Sequence, residues 1–285
     1  MSHPIFSVNG LSLAYGNRTV IHDVDLSIKP HQTTVLVGAN GSGKSTLFKG
    51  LSRQLHPRSG SISFCGQALD TLRPKEYARQ VALLPQSPVV PEGLSVVELV
   101  GRGRHPHRRW WGAPSPGDDD AVAAALNMTG LSDLATRPVE ELSGGQRQRA
   151  WIALVLAQDT HTVLLDEPTA ALDLAHQVDL LDLLITLRRP DGNRTTVVAV
   201  LHELNLAARV ADHVIAVKNG RIALEGTPHD VFTPDALAEI FDLDAEVIYD
   251  PAEHYPVILP RGRRSTVGKH HNGNPRWVTT QDNER

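Results

Sequence analysis

The stretch GANGSGKS at residues 38–45 limits what this chain can fold into more than any other feature of its sequence. It has the spacing G-x-x-x-x-G-K-[ST] of a phosphate-binding loop. A continuous apolar run, TTVLVG, precedes it, as is typical of a strand buried on both faces, and a helix is predicted from about Lys44 to Arg53. Strand, glycine-rich loop and helix in this order point backbone N–H groups and the positive end of a helix at a phosphate. The sequence therefore predicts a nucleoside triphosphate site in an α/β fold.

The phosphate loop (residues 38–45) supplies two side chains with specific chemistry. Lys44 has the reach to contact the β- and γ-phosphates, and the hydroxyl of Ser45 is a ligand for Mg²⁺. The residues that we expect to bind nucleotide in and next to this loop are Gly38, Ala39, Asn40, Gly41, Ser42, Gly43, Lys44, Ser45 and Thr46.

Polar side chains end three other apolar runs. Asp166 and Glu167 end TVLLDEP, Gln86 ends VALLPQ, and His202 ends VVAVLH. Ligands of open parallel sheets bind beyond the carboxyl ends of the strands, so we expect these side chains to lie beside the phosphate loop. There Asp166 is a candidate Mg²⁺ ligand, and Glu167 is a candidate base that orients and polarises the attacking water.

The remaining pattern alternates strands with helices, which predicts a parallel sheet. Residues 93–158 are helical in character, and the polar stretch 261–285 predicts a disordered tail. The predicted elements are strands at 6–15, 19–28, 33–38, 60–66, 80–86, 162–168 and 195–202, helices at 44–53, 118–130, 173–188 and 233–242, and a hairpin at 214–226 with an Asn219-Gly220 turn.

Composition excludes several classes of protein. The formal net charge of −4 gives no overall attraction for a polyanion, and the single cysteine, Cys65, excludes an intrachain disulfide. No apolar run approaches the roughly 18 residues of a membrane span, and the N-terminus lacks the pattern of a secretion signal. We therefore expect a soluble, cytoplasmic protein whose contact with any membrane goes through a partner.

The stretch LSGGQRQR (residues 142–149, the signature segment) resembles the signature motif of ATP-binding-cassette (ABC) ATPases. It follows the phosphate loop by about a hundred residues and precedes LLDEP by about twenty, as in that family. The resemblance covers residues 4–260. It implies an α/β fold with a P-loop NTPase (RecA-like) core at about 4–90 and 159–260, an N-terminal antiparallel β-subdomain, and an inserted α-helical subdomain at about 91–158.

The resemblance also implies a role for individual residues. Tyr15 resembles the aromatic residue that stacks on adenine, and Gln86 the Q-loop glutamine that links Mg²⁺ and the γ-phosphate to the partner interface. Asp173 resembles the acidic residue of the D-loop, and His202 the switch histidine at the γ-phosphate. Glu167 resembles the catalytic base, so the resemblance implies a competent ATPase that uses ATP and Mg²⁺.

Family membership further implies a homodimer. The signature residues of one chain would then cover the γ-phosphate bound by the other chain, with a helix N-terminus supplying positive potential. The residues concerned are Ser143, Gly144, Gly145 and Gln146.

The stretch GRGRHPHRRWW (residues 101–111) permits four interpretations. Arginines interleaved with tryptophans suit nucleic acid, but the chain has no basic stripe, so we expect no nucleic-acid partner. His105 and His107 make a poor metal site because no carboxylate or cysteine accompanies them. A solvated basic loop is the third interpretation. The fourth is a docking surface for a membrane permease, near Gln86 and at residues 95–112, to which Arg102 and Arg104 would contribute.

We favour the docking surface because SVVELVGRGRHPHRRWWG (95–112) resembles a segment of the ATPases of ferric-siderophore, haem and cobalamin importers. The resemblance implies an ATPase subunit at the cytoplasmic face of the inner membrane, peripheral to a separate polytopic permease and linked through it to a substrate-binding protein. An iron–siderophore or similar metal chelate is the expected cargo, and siderophore, haem and cobalamin stay open. The alternative is a stand-alone cassette ATPase that acts as a switch on nucleic acid or protein.

Overall fold

The chain is described by a computed structural model over residues 3–86, 88, 92–108, 116–170, 172–187, 192 and 194–261. Twelve strands and nine α-helices lie within these ranges. In chain order they are β1 (Phe6–Tyr15), β2 (Arg18–Ile28), β3 (Thr33–Val37), α1 (Lys44–Leu51), β4 (Ser59–Phe64), β5 (Gln67–Ala68), α2 (Pro74–Ala78), β6 (Val81–Leu84), α3 (Val96–Gly101), α4 (Pro116–Met128), α5 (Gly144–Ala157), β7 (Thr162–Asp166), α6 (Leu174–Thr186), β8 (Thr196–Val200), α7 (Leu204–Val210), β9 (His213–Lys218), β10 (Arg221–Gly226), α8 (Pro228–Val231), α9 (Pro234–Phe241), β11 (Ala245–Tyr249) and β12 (Pro256–Pro260).

A six-stranded sheet forms the centre, with the strand order β10-β9-β3-β8-β7-β6. All neighbouring pairs are parallel except β9 and β10, which form the predicted hairpin. Strands β3, β7 and β8 are buried along their whole length, as their unbroken apolar runs predict for strands covered on both faces. The parallel arrangement brings the carboxyl ends of β3, β6, β7 and β8 to one edge of the sheet.

The N-terminal strands form a separate antiparallel sheet with the order β2-β1-β4-β5. Apolar residues alternate along β1 and β2 so that one face of this sheet is buried. Helix α1 packs between the two sheets, where Leu47 and Phe48 join a cluster that includes Phe6 and Phe64. This packing fixes the start of α1, and with it the phosphate loop, against both sheets.

Helices α3, α4 and α5 have a hydrophobic cluster of their own. Its buried members include Val96 and Leu99 of α3, Val122 of α4, and Ala150 and Ala153 of α5. On this basis we propose that α3–α5, called here the helical layer, correspond to the subdomain predicted at about residues 91–158.

The C-terminal part ends in the two-stranded hairpin β11-β12, which the sequence pattern did not predict. Arg261, the first residue of the predicted tail, is bonded to the residues around β11: its backbone N–H donates to the carbonyl of Asp244, and its guanidinium contacts Glu246 at 3.3 Å. Residues 262–285 lie outside the described part of the chain. Within the described ranges, no helix is both long enough and apolar enough to cross a lipid bilayer.

Candidate functional site

The phosphate loop lies between the buried end of β3 and the first turn of α1. Its first glycine, Gly38, has φ of 151°, and a Cβ atom there would lie 2.3 Å from the carbonyl oxygen of Val217 on β9. Gly43 caps the N-terminus of α1 with φ of 112°, which favours glycine. The loop therefore depends on glycine both for its backbone path and for its close approach to the neighbouring strand.

An open cavity of about 460 Å³ lies over this loop. Tyr15 stands at its edge with 47% of its surface exposed and with the ammonium of Lys49 5.7 Å from its ring centroid. The residues that line the cavity are Tyr15, Arg18, Val20, Asn40, Gly41, Ser42, Gly43, Lys44, Ser45, Thr46, Glu167 and His202. The sequence pattern predicted all of these residues except Arg18 and Val20. The sequence indicated these two only by their position just after Tyr15, the predicted adenine-stacking residue.

Lys44 is buried at the base of the cavity. Its ammonium donates hydrogen bonds to the carbonyls of Gly38, at 2.8 Å, and Ala39, at 3.1 Å. Burial lowers the pKa of Lys44, while the negative charges of Glu167 and Asp166 oppose that shift. The ammonium is thus held beside two carboxylates, in the position from which the motif would direct it at phosphates.

Glu167 receives hydrogen bonds from two strand ends that are distant in sequence. The side-chain amide of Gln86 donates to its Oε2 at 2.8 Å, and His202 Nε2 lies 2.5 Å from its Oε1. The backbone of Glu167 is in the left-handed region, with φ of 53°, and its N–H donates to Val200 at 3.2 Å. The expected convergence of Gln86, Glu167 and His202 is therefore present in the structure.

Asp166 ends β7 with only 5% of its surface exposed. Its Oδ1 has no hydrogen-bond partner among the described residues. Burial and the adjacent Glu167 raise its pKa, and the positive groups Lys49, His202 and Lys44 oppose this shift. A buried carboxylate oxygen without a partner among the described residues suits Mg²⁺, which prefers oxygen ligands.

The signature segment does not reach this cavity within one chain. Ser143 caps α5: its hydroxyl accepts from the N–H of Gln146 at 3.2 Å, and the Gln146 amide oxygen accepts from the Ser143 N–H at 3.1 Å. Ser143 and Gly144 are exposed, and among the described residues neither lines the cavity, nor do Gly145 and Gln146. The segment thus presents an exposed helix N-terminus outside the cavity that the phosphate loop lines.

Asp173, the predicted D-loop residue, caps α6. Its carboxylate accepts from the N–H of His176 at 3.0 Å and lies 2.6 Å from the His176 ring nitrogen. These two bonds lower the pKa of Asp173. Asp173 is exposed and does not line the cavity among the described residues, and Ala171 of the same loop lies outside them.

The basic stretch at 101–111 differs from the expected docking surface in one respect. Arg102 is exposed, but the side chain of Arg104 is only 12% exposed, and its guanidinium bonds Asp118 at 2.9 Å and the carbonyl of Ala157 at 2.8 Å. The charge of Arg104 is thus paired inside the helical layer, and the contribution of this arginine to docking stays a prediction. His107 likewise bonds the carbonyl of Gln158 at 2.7 Å, and residues 109–115, with both tryptophans, lie outside the described part.

Comparison with known proteins shows the family of the chain. A family model described as ABC transporter matches residues 21–170. The chain is 46% identical to "Probable siderophore transport system ATP-binding protein YusV" of Bacillus subtilis, over 92% of this chain and 95% of that protein. It is 44% identical to the ferric enterobactin transport ATP-binding protein FepC of Escherichia coli, over 89% of this chain and 93% of that protein.

Solved structures show the same fold. A metal-chelate type ABC transporter in an inward-facing conformation superposes with a TM-score of 0.77 and 28% identity, over 92% of this chain and 99% of that chain. The dimeric bacterial ABC transporter cassette MJ0796 superposes with a TM-score of 0.69 and 28% identity, over 78% of this chain and 98% of that chain.

Proposed function

The chain belongs to the ABC transporter family, and from this premise we propose that it powers the import of an iron–siderophore or similar metal chelate. It is an ATPase, and the energy of ATP hydrolysis would drive a separate membrane permease. This class of cargo is supported by the 46% identity, along nearly the whole of both chains, to a protein named for siderophore transport. The ferric enterobactin relative, at 44% identity, supports the same class.

The geometry supports a defined division of work in ATP hydrolysis. Tyr15 would stack on adenine, and the loop N–H groups with Lys44 would bind the phosphates. Ser45 and Asp166 would hold Mg²⁺, with Gln86 beside them, and the ion would neutralise charge on the phosphates. Glu167 would accept a proton from the attacking water.

His202 and Gln86 already hold the two oxygens of Glu167 at 2.5 and 2.8 Å. We infer that both side chains orient this carboxylate before ATP binds and turn toward the γ-phosphate when it arrives. Because the strands that carry them end at the same sheet edge as the phosphate loop, neither side chain needs a large backbone movement to do so.

The exposed N-terminus of α5 supports a homodimer. Ser143, Gly144, Gly145 and Gln146 would cover the γ-phosphate of the opposite chain, because an exposed helix N-terminus with free N–H groups is favourable for an anion. ATP would then join two chains, and hydrolysis would release them.

We propose that the permease docks on the helical layer near Gln86 and residues 95–112, which would place the ATPase at the cytoplasmic face of the membrane. A groove of about 360 Å³ supports this position. Its lining combines the exposed Val97 with charges of both signs, including Glu98, Arg102 and Asp119. The substrate-binding protein would act through the permease, without touching this chain.

Uptake by the assembled transporter tests this proposal. The full chain, its cognate permease and its binding protein are placed in liposomes, and the uptake of a radioactive ferric siderophore is measured with MgATP inside. We expect ATP-dependent uptake with the natural chain and a loss of more than about 100-fold with Glu167→Gln, which removes the base but keeps ATP binding. Parallel assays with haem and cobalamin identify the chelate. ATP hydrolysis that responds to nucleic acid and not to the permease would contradict the transport function.

A further inference from the structure

Two side-chain amides hold the loop that follows the candidate base. This carboxylate loop (residues 167–173, described except for Ala171) joins β7 to α6. The Gln148 amide donates to the carbonyl of Pro168 at 2.7 Å. The Gln177 amide donates to the carbonyls of Thr169, at 3.2 Å, and Leu172, at 3.0 Å.

The two amides come from different parts of the fold. Gln177 lies on α6 and so moves with the loop that it holds. Gln148 lies on α5 in the helical layer, five residues after the cap residue Ser143. The start of the same helix also lies near the loop, because a Cβ atom added to Gly145 would come within 3.5 Å of the Leu172 side chain. Helix α5 is therefore attached to the carboxylate loop within a single chain.

The attachment point is next to the base itself. Pro168 follows Glu167, whose left-handed backbone (φ 53°) is a conformation that a non-glycine residue keeps only when its surroundings hold it. Gln148 is half-buried, and its bond is short for an amide-to-carbonyl hydrogen bond. Loss of this bond would free the Pro168 carbonyl and let the Glu167 backbone relax.

We propose that Gln148 is a positioning residue for hydrolysis, which sets the Glu167 carboxylate according to the orientation of α5 in the same chain. This inference rests on the proposed role of Glu167 as the base. Because α5 begins at the signature segment, a movement of that segment would reach the base directly through Gln148, independently of the Gln86 contact. Misplacement of a catalytic group by about 1 Å costs on the order of 100-fold in rate.

Steady-state ATP hydrolysis by the full chain tests the role of Gln148. Gln148→Met keeps the length of the side chain and removes the donor. The matched control is Gln158→Met: Gln158 lies at the end of the same helix, and its amide donates to the carbonyls of Ala78 and Val81, away from the carboxylate loop. We expect Gln148→Met to lower kcat about tenfold or more with KM for MgATP within about twofold, since ATP contacts are unchanged. Gln158→Met should keep kcat within about twofold, whatever its effect on thermal stability.

Combination with Glu167→Gln separates positioning from a general structural effect. If Gln148 acts through Glu167, the double variant Gln148→Met with Glu167→Gln hydrolyses ATP no more slowly than Glu167→Gln alone. An equal loss of kcat in Gln148→Met and Gln158→Met, a KM that rises in step with the fall in kcat, or an additive loss in the double variant would overturn the inference. Normal turnover by Glu167→Gln alone would instead overturn the proposed base.

Discussion

Asp166 is in an unfavourable position when no nucleotide is bound. Its carboxylate is buried, one oxygen has no partner among the described residues, and Glu167 follows it directly. Its raised pKa records that the surrounding protein disfavours the charged form. A buried charge that lowers the stability of the folded chain is typical of functional sites. A cation between the carboxylate and the phosphates would compensate this charge.

Asp166→Asn therefore has opposite effects on stability and activity. We expect the nucleotide-free variant to melt about 2 °C higher, which corresponds to roughly 1 kcal/mol in a chain of this size, because a neutral amide replaces a buried charge. ATP hydrolysis should fall about 100-fold or more because a metal ligand is lost. Calorimetry and phosphate release measure the two effects. Asp212→Asn is the matched control and should melt lower, because Asp212 pairs with Arg194 at 3.0 Å and accepts from the Thr33 N–H.

The pH dependence of the stability of Asp166→Asn checks whether the buried charge is the cause of its higher melting temperature. A carboxyl group whose pKa is raised in the folded state binds more protons when folded, so its contribution to stability falls as pH rises through that window. This pH range begins near the ordinary aspartate pKa of 3.8 and ends at the raised pKa of Asp166. The stability advantage of Asp166→Asn over the natural chain should therefore grow with pH across this range. Urea unfolding at several pH values measures it, and a constant difference would contradict the assignment.

At the scale of elements, the 3₁₀ turn Arg102–Arg104 joins three helices. Gly103 lets the turn approach α5 so closely that a Cβ atom would lie 2.3 Å from the Leu154 carbonyl oxygen. Arg104 then links α4, through Asp118, to the last carbonyl of α5 at Ala157. A further bond joins the same region to the end of α2, where the Arg79 side chain donates to the carbonyl of Pro106 at 2.8 Å. This turn is thus a joint within the helical layer, where α3, α4 and α5 meet.

Arg104 and Arg102, two residues apart, should respond very differently to charge reversal. Arg104→Glu places a carboxylate against Asp118, and the side chains of the natural pair are only 12% and 7% exposed. Breaking a buried ion pair costs about 3–5 kcal/mol, so we expect that loss in the free energy of unfolding, measured with urea. Arg102→Glu is on the surface and should cost less than about 0.5 kcal/mol, keep basal ATPase activity and reduce uptake with the permease. Equal destabilisation by the two changes would contradict the described joint.

The sequence predicted those elements whose side-chain pattern is set by burial alone. The strands at Thr33–Val37, Thr162–Asp166 and Thr196–Val200 are buried along their whole length, and most of their side chains are accordingly apolar. Helix α7 and the hairpin β11-β12 were not predicted, because they are short and their stability comes from tertiary contacts such as the bonds between Asn205 and Ile258.

The candidate site also contains some features that the sequence predicted and others that it did not. The phosphate loop, Glu167, Gln86 and His202 were predicted because motif spacing and strand ends specify them. The burial of Arg104 and the Gln148 contact were not predicted, because they depend on which helix faces which carbonyl. The composition of the basic stretch indicated surface function for both arginines, whereas the fold uses one of them in its interior.

At the scale of the whole molecule, we propose that one chain carries parts of two different ATP sites. The phosphate loop, Glu167 and His202 line one open cavity, whereas the signature segment, at the exposed N-terminus of α5, does not line it among the described residues. Two chains related by twofold symmetry would bring each signature segment over the other chain's cavity. In that arrangement Lys44 and Ser143 of the same chain serve different ATP molecules.

Two inactive variants should therefore restore activity when they are mixed. Lys44→Ala damages the phosphate loop, and Ser143→Arg blocks the signature segment, so each homodimer contains two defective sites. In a mixed dimer both defects fall in one site, and the other site combines an intact phosphate loop with an intact signature segment. Random pairing makes half of the dimers mixed, each with one intact site, so we expect about a quarter of the natural ATPase activity if the two sites work independently. Phosphate release from an equimolar mixture measures this, with each variant alone as the control and a thermal melt to show that both are folded. A mixture no more active than its separate components would mean that each chain completes its own site, and the exposed N-terminus of α5 would then need another ligand.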